Sequence, residues 1–216
     1  MSFPSANLLL IRHGYSAVAG AAYGPETPLN ALGLAQVVAV AEAILKRGPV
    51  AAIYASPFPR AIQSAEPLAE RTGLELRVDP RLAEFELPAS TSDEDQTLPI
   101  WRPEHRGSPS SETLHAFSLR VASFLDEVPE RHLGETVAVY SHAGTIDAAA
   151  RWAFGMPPDS SWHHDLPLHP ASITELEIWP RGRVPGGAPC YTAFHRIGDA
   201  THLARVAAPS RSSREE

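Results

Sequence analysis

The sequence predicts an α/β protein, a three-layer α/β/α sandwich whose mainly parallel sheet has helices on both faces and a small insertion or lid. The first observation is that short apolar runs, typical of buried strands, alternate with longer segments of helical periodicity. The second is that two runs, in the segments LLIRHG and AVYSHAG, end in polar side chains close to a glycine, as ligand-binding strand ends do in open α/β sheets. Because parallel strands need long crossover connections, this alternation indicates helices on both faces of the sheet.

Six apolar runs are predicted as strands. They lie at residues 8–11, 50–54, 74–78, 136–140, 171–179 and 191–198. Each run is short and bounded by turn-forming or polar residues, which favours strands over buried helices. Helical segments separate most of them, so we expect a mainly parallel sheet.

The first predicted helix lies between the first two strands, in the segment NALGLAQVVAVAEAILKRG. Its apolar residues recur at the spacing of one helical face, and Gly48 followed by Pro49 is a typical helix end. The face predicted to be buried consists of Leu34, Val37, Val38, Ala41, Ile44 and Leu45.

Three further helices are predicted from capping residues and apolar spacing. The second helix has Ser56 as its N-cap and Pro57 at its first position, and it stops near Gly73. The third runs from about residue 111 to 128 with Ser111 as its cap, and the fourth follows Gly144. The buried stripe of the third helix consists of Phe117, Val121, Phe124 and Leu125.

Composition and charge restrict the classes of partner. Apolar residues make up 44% of the 216 residues and charged residues 20%, as in globular proteins. The net charge of -7 provides no basic field for nucleic acid, although a small anion could still bind locally. No apolar run approaches the length of a membrane span, no secretory signal precedes the first strand, and the single cysteine, Cys190, fits a reducing compartment. We therefore expect a cytoplasmic protein without a membrane or nucleic-acid partner.

One domain is predicted over residues 1–208, followed by a disordered polar tail at 209–216. A turn-rich segment at about 85–111 is predicted as an insertion or lid, because loops of this length are usually functional or disordered. Trp101 within it favours a lid. The sequence does not indicate an oligomeric state.

Polar side chains from four separate crossovers are predicted to meet at one edge of the sheet. Arg12 and His13 directly follow the first strand, and His142 follows the fourth strand in the same way. Arg60 lies in the first turn of the helix after the second strand, and Glu84 follows the third strand. Because the carboxyl ends of parallel strands lie at the same edge, we expect these five side chains to lie close together.

This set of side chains suits phosphoryl transfer through a covalent histidine intermediate. Two guanidinium groups can bind the phosphoryl oxygens and stabilise transition-state charge, and an imidazole can attack phosphorus in line. A carboxylic acid can protonate the departing oxygen and then take a proton from water. Either Glu84 or Glu86 could supply that carboxylic acid. This chemistry requires no metal, and the pair His163 and His164 has no third ligand at regular spacing that would favour a metal site.

The segments LLLIRHG, ASPFPRAIQSAE, RLAEFE and VYSHAG resemble the histidine phosphatase superfamily, which contains cofactor-dependent phosphoglycerate mutases and many small-molecule phosphatases. The resemblance covers roughly residues 8–144. It implies that His13 is the phosphorylated nucleophile and Glu84 the proton donor. It further implies that Arg12, Arg60 and His142 form the phosphate pocket.

The resemblance also implies roles for Gly14 and Ser16, whereas Ala19 differs from the family pattern. Gly14 would let the backbone approach the phosphate, and Ser16 occupies a position where the family often has Ser or Thr, so both are assigned to phosphate binding. Ala19 stands where the family often has an asparagine that contacts the phosphate. The loop after Glu84 also lacks the usual glycine, which keeps Glu86 as a candidate acid.

The predicted function is metal-independent hydrolysis of a phosphomonoester, through a phosphohistidine, on a small phosphorylated metabolite and without a cofactor. One alternative is a phosphomutase of the phosphoglycerate mutase type, which would depend on a bisphosphorylated primer. A second alternative is a catalytically silent protein that binds phosphorylated ligands. The proton donor counts against this last alternative, because binding alone does not need one.

Overall fold

The computed structural model describes residues 4–16, 24–85, 102–106, 111–163, 165–180 and 191–206. Six strands form a single sheet: β1 (Ala6–Arg12), β2 (Ala52–Ala55), β3 (Leu76–Val78), β4 (Thr136–Ser141), β5 (Ile173–Trp179) and β6 (Tyr191–Asp199). Four α-helices cover it: α1 (Ala31–Arg47), α2 (Pro59–Thr72), α3 (Leu114–Arg131) and α4 (Ala143–Ala153). Short 3-10 turns lie at Pro80–Leu82 and Thr201–Leu203.

The strand order is β3-β2-β4-β1-β5-β6. The first four strands are mutually parallel, whereas β5 is antiparallel to β1 and to β6. The prediction of a mainly parallel α/β sheet is therefore confirmed, with β5 as the strand of opposite direction. In register, Arg12 at the end of β1 lies opposite Ser141 at the end of β4, so the residues that follow both strands emerge at one edge.

Alternate residues of the central strands build two separate cores, which confirms the three layers. Leu8 and Leu10 of β1 pack in a cluster with α3 and α4, through residues such as Phe117 and Ile146. On the opposite face, Leu9 and Ile11 belong to a cluster with α1 and α2, including Val40, Ile44 and Leu68. Because side chains alternate across a strand, one apolar run supplies both cores.

The buried face of α1 is narrower than the sequence predicts. Val37, Ala41 and Ile44 are buried as expected, together with Val40. Leu34, Val38 and Leu45 are instead 50%, 40% and 39% exposed. The buried residues follow the i, i+3, i+4, i+7 stripe from position 37, and the three exposed residues flank it. The buried stripe predicted for α3 is confirmed at all four positions.

Two predicted helix caps are wrong. Helix α2 begins at Pro59 with Phe58 as its N-cap, because the hydroxyl of Ser56 contacts the His142 ring instead of capping a helix. Helix α3 begins at Leu114, and its cap is Thr113, whose Oγ1 accepts the Ala116 N–H at 3.1 Å. Each helix therefore starts two or three residues later than predicted.

Several predictions concern residues outside the described part of the chain. These include most of the predicted lid and the predicted tail, and the residues Ala19, Glu86, Trp101, His164 and Cys190. The single-domain boundary and the lid remain predictions. None of the described helices combines the length and apolarity needed to cross a membrane.

Candidate active site

A cavity of about 370 Å³ opens at the carboxyl edge of the sheet. Arg12, His13, Arg60 and Glu84, four of the five predicted catalytic residues, line it. His142 lies directly behind them, with its ring centroid 5.2 Å from that of His13. Residues from four crossovers thus meet at one place, as the parallel strand ends require.

His13 is held with one specific ring nitrogen facing the arginines. Its Nδ1 lies 2.7 Å from the carbonyl oxygen of Gly14, which can only accept, so Nδ1 carries the proton. Nε2 is then the lone-pair nitrogen, and it accepts the Nε–H of Arg60 at 3.3 Å. Burial lowers the pKa of His13 to about 3, and the charges of Arg60 and Arg12 add to this effect. The ring is therefore neutral at physiological pH and carries the lone pair that a nucleophile needs.

Gly14 allows the chain to press against α1. A Cβ at this position would lie 2.7 Å from the carbonyl oxygen of Gly33, a backbone atom that cannot swing away. The N–H of Gly14 donates to Oγ of Ser64 at 3.0 Å. Ser16 is buried and is not among the residues that line the cavity. The geometry thus gives Gly14 a packing role in the loop that carries His13.

The two arginines are fixed by backbone carbonyls. Nη1 of Arg60 donates to the carbonyls of Gly24 and Pro25 at 3.0 and 3.1 Å, and its Cζ lies 4.9 Å from the centre of the Phe58 ring. Arg60 is only 3% exposed. Nη1 of Arg12 donates to the carbonyl of Leu168. These carbonyl oxygens help to orient the two guanidinium groups, and a guanidinium group can bind an anion through two parallel N–H groups.

His142 is the N-cap residue of α4 and is fully buried. Its Nε2 lies 2.7 Å from Oγ of Ser56, and its Nδ1 has no hydrogen-bond partner among the residues that the structure describes. Burial lowers its pKa well below the usual range, with smaller contributions from His13, Arg60 and Arg12. A neutral ring with one unused nitrogen is suited to contact a phosphoryl oxygen next to His13.

Glu84 is held at the N-terminus of α4. Its Oε2 accepts the N–H of Gly144 at 3.0 Å, and its Oε1 accepts the N–H of Phe85 at 2.9 Å. Burial raises its pKa, and the two N–H groups and the nearby arginines oppose that increase. A carboxyl group that keeps its proton more readily than usual is suited to donate it to a leaving group.

Gly144 has a role that its sequence context did not predict. A Cβ on Gly144 would lie 2.5 Å from Oε1 of Glu84, so the glycine is needed for the carboxyl group to reach the helix N-terminus. The glycine of the segment SHAG was visible in the sequence, but its partner is 60 residues away along the chain.

Three further cavity residues were also missed. Asp147, Trp162 and Asp165 line the same cavity, on the side formed by α4 and the segment that follows it. The available signal was Asp147 itself, an acidic residue within the apolar helical segment GTIDAAARWA. Among the described residues, no three His, Cys, Asp or Glu side chains are grouped as metal ligands; His163 is exposed.

Comparison with known proteins agrees with this geometry. A family model described as histidine phosphatase superfamily (branch 1) matches residues 8–185. A Hydrogenobacter thermophilus protein with the provisional name phosphoserine phosphatase 2 is 28% identical over 163 residues, which is 71% of this chain and 78% of that protein. A Yersinia enterocolitica protein with the provisional name phosphoglycerate mutase GpmB is 24% identical over 91% of this chain and 94% of its own.

A solved structure described as mycobacterial hydrolase 2 superposes with a TM-score of 0.69 at 26% identity, covering 90% of this chain and 91% of the other. The match of the family model extends over most of the chain, from β1 through β5. This protein belongs to the histidine phosphatase superfamily, branch 1.

Proposed function

We propose that this protein hydrolyses a small phosphomonoester without a metal, through a phosphohistidine at His13. The observation that carries the proposal is the fixed orientation of His13, whose Nδ1–H is bound by the Gly14 carbonyl while Nε2 faces Arg60. Glu84, a carboxyl group with a raised pKa, lines the same cavity. Nucleophile, cations and acid are therefore available together.

In the first half-reaction Nε2 of His13 attacks the phosphorus in line with the ester oxygen. The N–P bond forms as the P–O bond breaks, and Glu84 gives its proton to the departing alkoxide oxygen. Arg12 and Arg60 stabilise the charge on the phosphoryl oxygens, and Nδ1 of His142 donates to one of them when it carries its proton. As His13 becomes phosphorylated, the Gly14 carbonyl continues to hold the Nδ1–H.

In the second half-reaction the Glu84 carboxylate takes a proton from water, and the water oxygen attacks the phosphorus. The N–P bond breaks, which restores neutral His13, and inorganic phosphate is released. Glu84 is again protonated, so the cycle is balanced with water as the second substrate. General acid–base catalysis of this kind contributes about 10²- to 10⁴-fold in rate.

Cavity size supports a small phosphorylated metabolite as the substrate. The volume of about 370 Å³ lies at the lower end of the range for small-molecule sites. The name of the H. thermophilus relative, a phosphoserine phosphatase, agrees with a compact leaving group. We propose that Arg12, Arg60 and His142 bind the phosphate, and the assignment of Gly14 and Ser16 to phosphate binding stays a prediction.

Phosphomutase activity is the second candidate, because one relative carries the name of a phosphoglycerate mutase. A mutase must protect its phosphohistidine from water and return the phosphoryl group to a bound acceptor. Dependence of turnover on a bisphosphorylated primer would favour it over hydrolysis.

The first experiment measures hydrolysis of p-nitrophenyl phosphate in the presence of EDTA. Wild type is compared with His13→Ala and with the matched control His195→Ala, which removes an exposed histidine from β6. We expect turnover in wild type and in His195→Ala, and none in His13→Ala. An acid-labile phosphohistidine should form in wild type and in His195→Ala but not in His13→Ala. Turnover that survives His13→Ala or is abolished by EDTA would contradict the proposal.

A further inference from the structure

We propose that Asp147, assisted by Asp165, binds a protonated amine in the leaving group, so that the substrate is the phosphomonoester of an amino alcohol. This inference rests on the proposed function and specifies its substrate class. It concerns the acidic residues of the cavity, whose charge is opposite to that of Arg12 and Arg60.

Asp147 is a buried carboxylic acid on α4. It is 3% exposed, and neither side-chain oxygen has a hydrogen-bond partner within the described ranges of the chain. It lies on α4 and lines the same cavity as His13 and Glu84. Burial of an unpaired carboxyl group costs free energy, so its retention at a cavity wall points to a ligand that supplies the missing donor.

The nearest cation on the same helix does not serve as that donor. Nη2 of Arg151 donates to Oγ and to the carbonyl of Ser160, at 2.7 and 3.2 Å. The Arg151 guanidinium also lies over the Trp162 ring, 4.8 Å from its centre. Arg151 therefore stabilises the segment after α4, and it makes no hydrogen bond to Asp147 in the part of the chain that the structure describes.

The cavity is bipolar. Arg12 and Arg60 line it together with two carboxyl groups, Asp147 and Asp165, in addition to the acid Glu84. A phosphomonoester that also carries a cation matches both ends. A leaving group with only a second anion would meet repulsion from the two aspartates.

Several apolar side chains complete the wall between these ends. Leu114, Phe117 and Leu166 line the cavity, and they can contact a short carbon chain. Nε1 of Trp162 is buried and lacks a hydrogen-bond partner among the described residues. A ligand that is polar at both ends and apolar between them fits these surfaces.

Helix geometry limits the length of the leaving group. Gly144, which binds the acid Glu84, and Asp147 are three residues apart on α4. Residues at this spacing lie about 5–6 Å apart on a helix surface. An amine two or three carbons from the ester oxygen would therefore reach Asp147 while the ester oxygen contacts Glu84.

The raised pKa of Asp147 agrees with a carboxyl group that lacks a cationic partner. Burial raises its pKa to about 7, and the neighbouring carboxyl groups of Asp165 and Glu84 add to the increase, while Arg151 opposes it. Hydroxyl groups of a neutral polyol would supply hydrogen bonds but would not offset the negative charge of the Asp147 carboxylate. An ammonium group supplies both.

The test compares two substrates of equal size, 2-aminoethyl phosphate and propyl phosphate, which differ by an ammonium in place of a methyl group. At pH 8 we expect wild type to prefer the amino substrate about tenfold in kcat/KM, in keeping with one charge-assisted hydrogen-bonded pair. Asp147→Asn should reduce this ratio to below about twofold. The matched control Glu70→Gln, an exposed acid on α2, should retain the wild-type ratio.

A binding measurement separates this inference from the proposed function. Calorimetry with 2-aminoethylphosphonate and propylphosphonate, which cannot be hydrolysed as esters, reports the same preference without turnover. Hydrolysis of p-nitrophenyl phosphate with equal use of both alkyl substrates would overturn the inference and leave the function standing. Preferential binding of the amino ligand, lost in Asp147→Asn, without hydrolysis of any phosphomonoester would overturn the function alone.

Two further outcomes are decisive. Equal kcat/KM for 2-hydroxyethyl and 2-aminoethyl phosphate would show that Asp147 needs only a hydroxyl donor, and would overturn the inference. If Asp147→Asn does not fold, the wild-type ratio and the partial loss expected in Asp165→Asn decide the question, and a wild-type ratio near one overturns it.

Discussion

Gly144 donates its N–H to Oε2 of Glu84 at 3.0 Å, and the absence of its side chain leaves room for Oε1, which a Cβ would approach to 2.5 Å. The helix N-terminus and the carboxyl group therefore fit only because residue 144 is a glycine.

Gly144→Ala should displace Glu84 and weaken its donation of a proton to the leaving group. We expect kcat for an alkyl phosphate to fall about 10²-fold, in line with the loss of general acid catalysis. The decrease should be much smaller for p-nitrophenyl phosphate, whose departing phenolate needs little protonation. Glu84→Gln should show the same dependence on the leaving group, and a uniform loss with both substrates in either variant would contradict this role.

The contact between Gly14 and Gly33 should be essential for stability. A Cβ on Gly33 would lie 2.1 Å from the carbonyl oxygen of Tyr15, and both sides of the contact are backbone. We expect Gly33→Ala to lower the free energy of unfolding by about 2 kcal/mol or more, because the His13 loop and α1 must separate. Gly24→Ala, where a Cβ meets no atom within 4 Å, is the control for urea denaturation. Equal stability of the two variants would refute the prediction.

Asp147→Asn should stabilise the protein at high pH. The folded state holds the Asp147 proton with a pKa raised from 3.8 to about 7, so between these values it binds more protons than the unfolded state. The free energy of unfolding of wild type therefore falls as pH rises through this window. The variant cannot lose that proton and should exceed wild type by about 2 kcal/mol at pH 8, with the difference vanishing near pH 4. Thermal unfolding across this pH range measures the difference, and a constant difference would contradict it.

Recognition of the amine should depend on pH through the same group. Burial raises the pKa of Asp147 to about 7; of its charged neighbours, Asp165 and Glu84 add to the increase and Arg151 opposes it. The carboxylate form predominates above this value. The ratio of wild-type to Asp147→Asn kcat/KM for 2-aminoethyl phosphate should rise as pH increases through this value. Using one substrate in both proteins cancels the titration of its own phosphate. A ratio independent of pH between 5 and 9 would argue against an ionised Asp147.

Local sequence signals were sufficient to predict the strands, the layers and the proximity of the candidate site residues. Arg12, His13 and His142 follow strands directly, so the parallel register of β1 and β4 brings them together without further information. Helix starts were harder. Ser56 has the composition of an N-cap, but its hydroxyl is used by His142, 86 residues away, and no local pattern reports this contact.

The remaining parts of the site depend on tertiary packing. The sequence favoured Glu84 as the acid and kept Glu86 as a second candidate. The contact of Glu84 with the Gly144 N–H supports Glu84, while Glu86 lies outside the described residues. The helical spacing of α1 did not predict which flank faces solvent, so Leu34 and Val38 were expected to be buried. The choice between the two acids and the buried face of α1 both depend on which other elements pack against them.

With the roles proposed for Glu84 and Asp147, helix α4 would carry the acid contact and the substrate contact at separate positions. Its first turn binds Glu84, whereas the side-chain oxygens of Asp147, one turn further along, make no hydrogen bond to any residue that the structure describes. Because a helix rises about 1.5 Å per residue, the spacing between the two functions is rigid and independent of loop conformation. A single substitution at position 147 could thus redirect the enzyme to alcohols of different charge while the phosphoryl-transfer apparatus is inherited unchanged, which offers a short evolutionary route between selectivities.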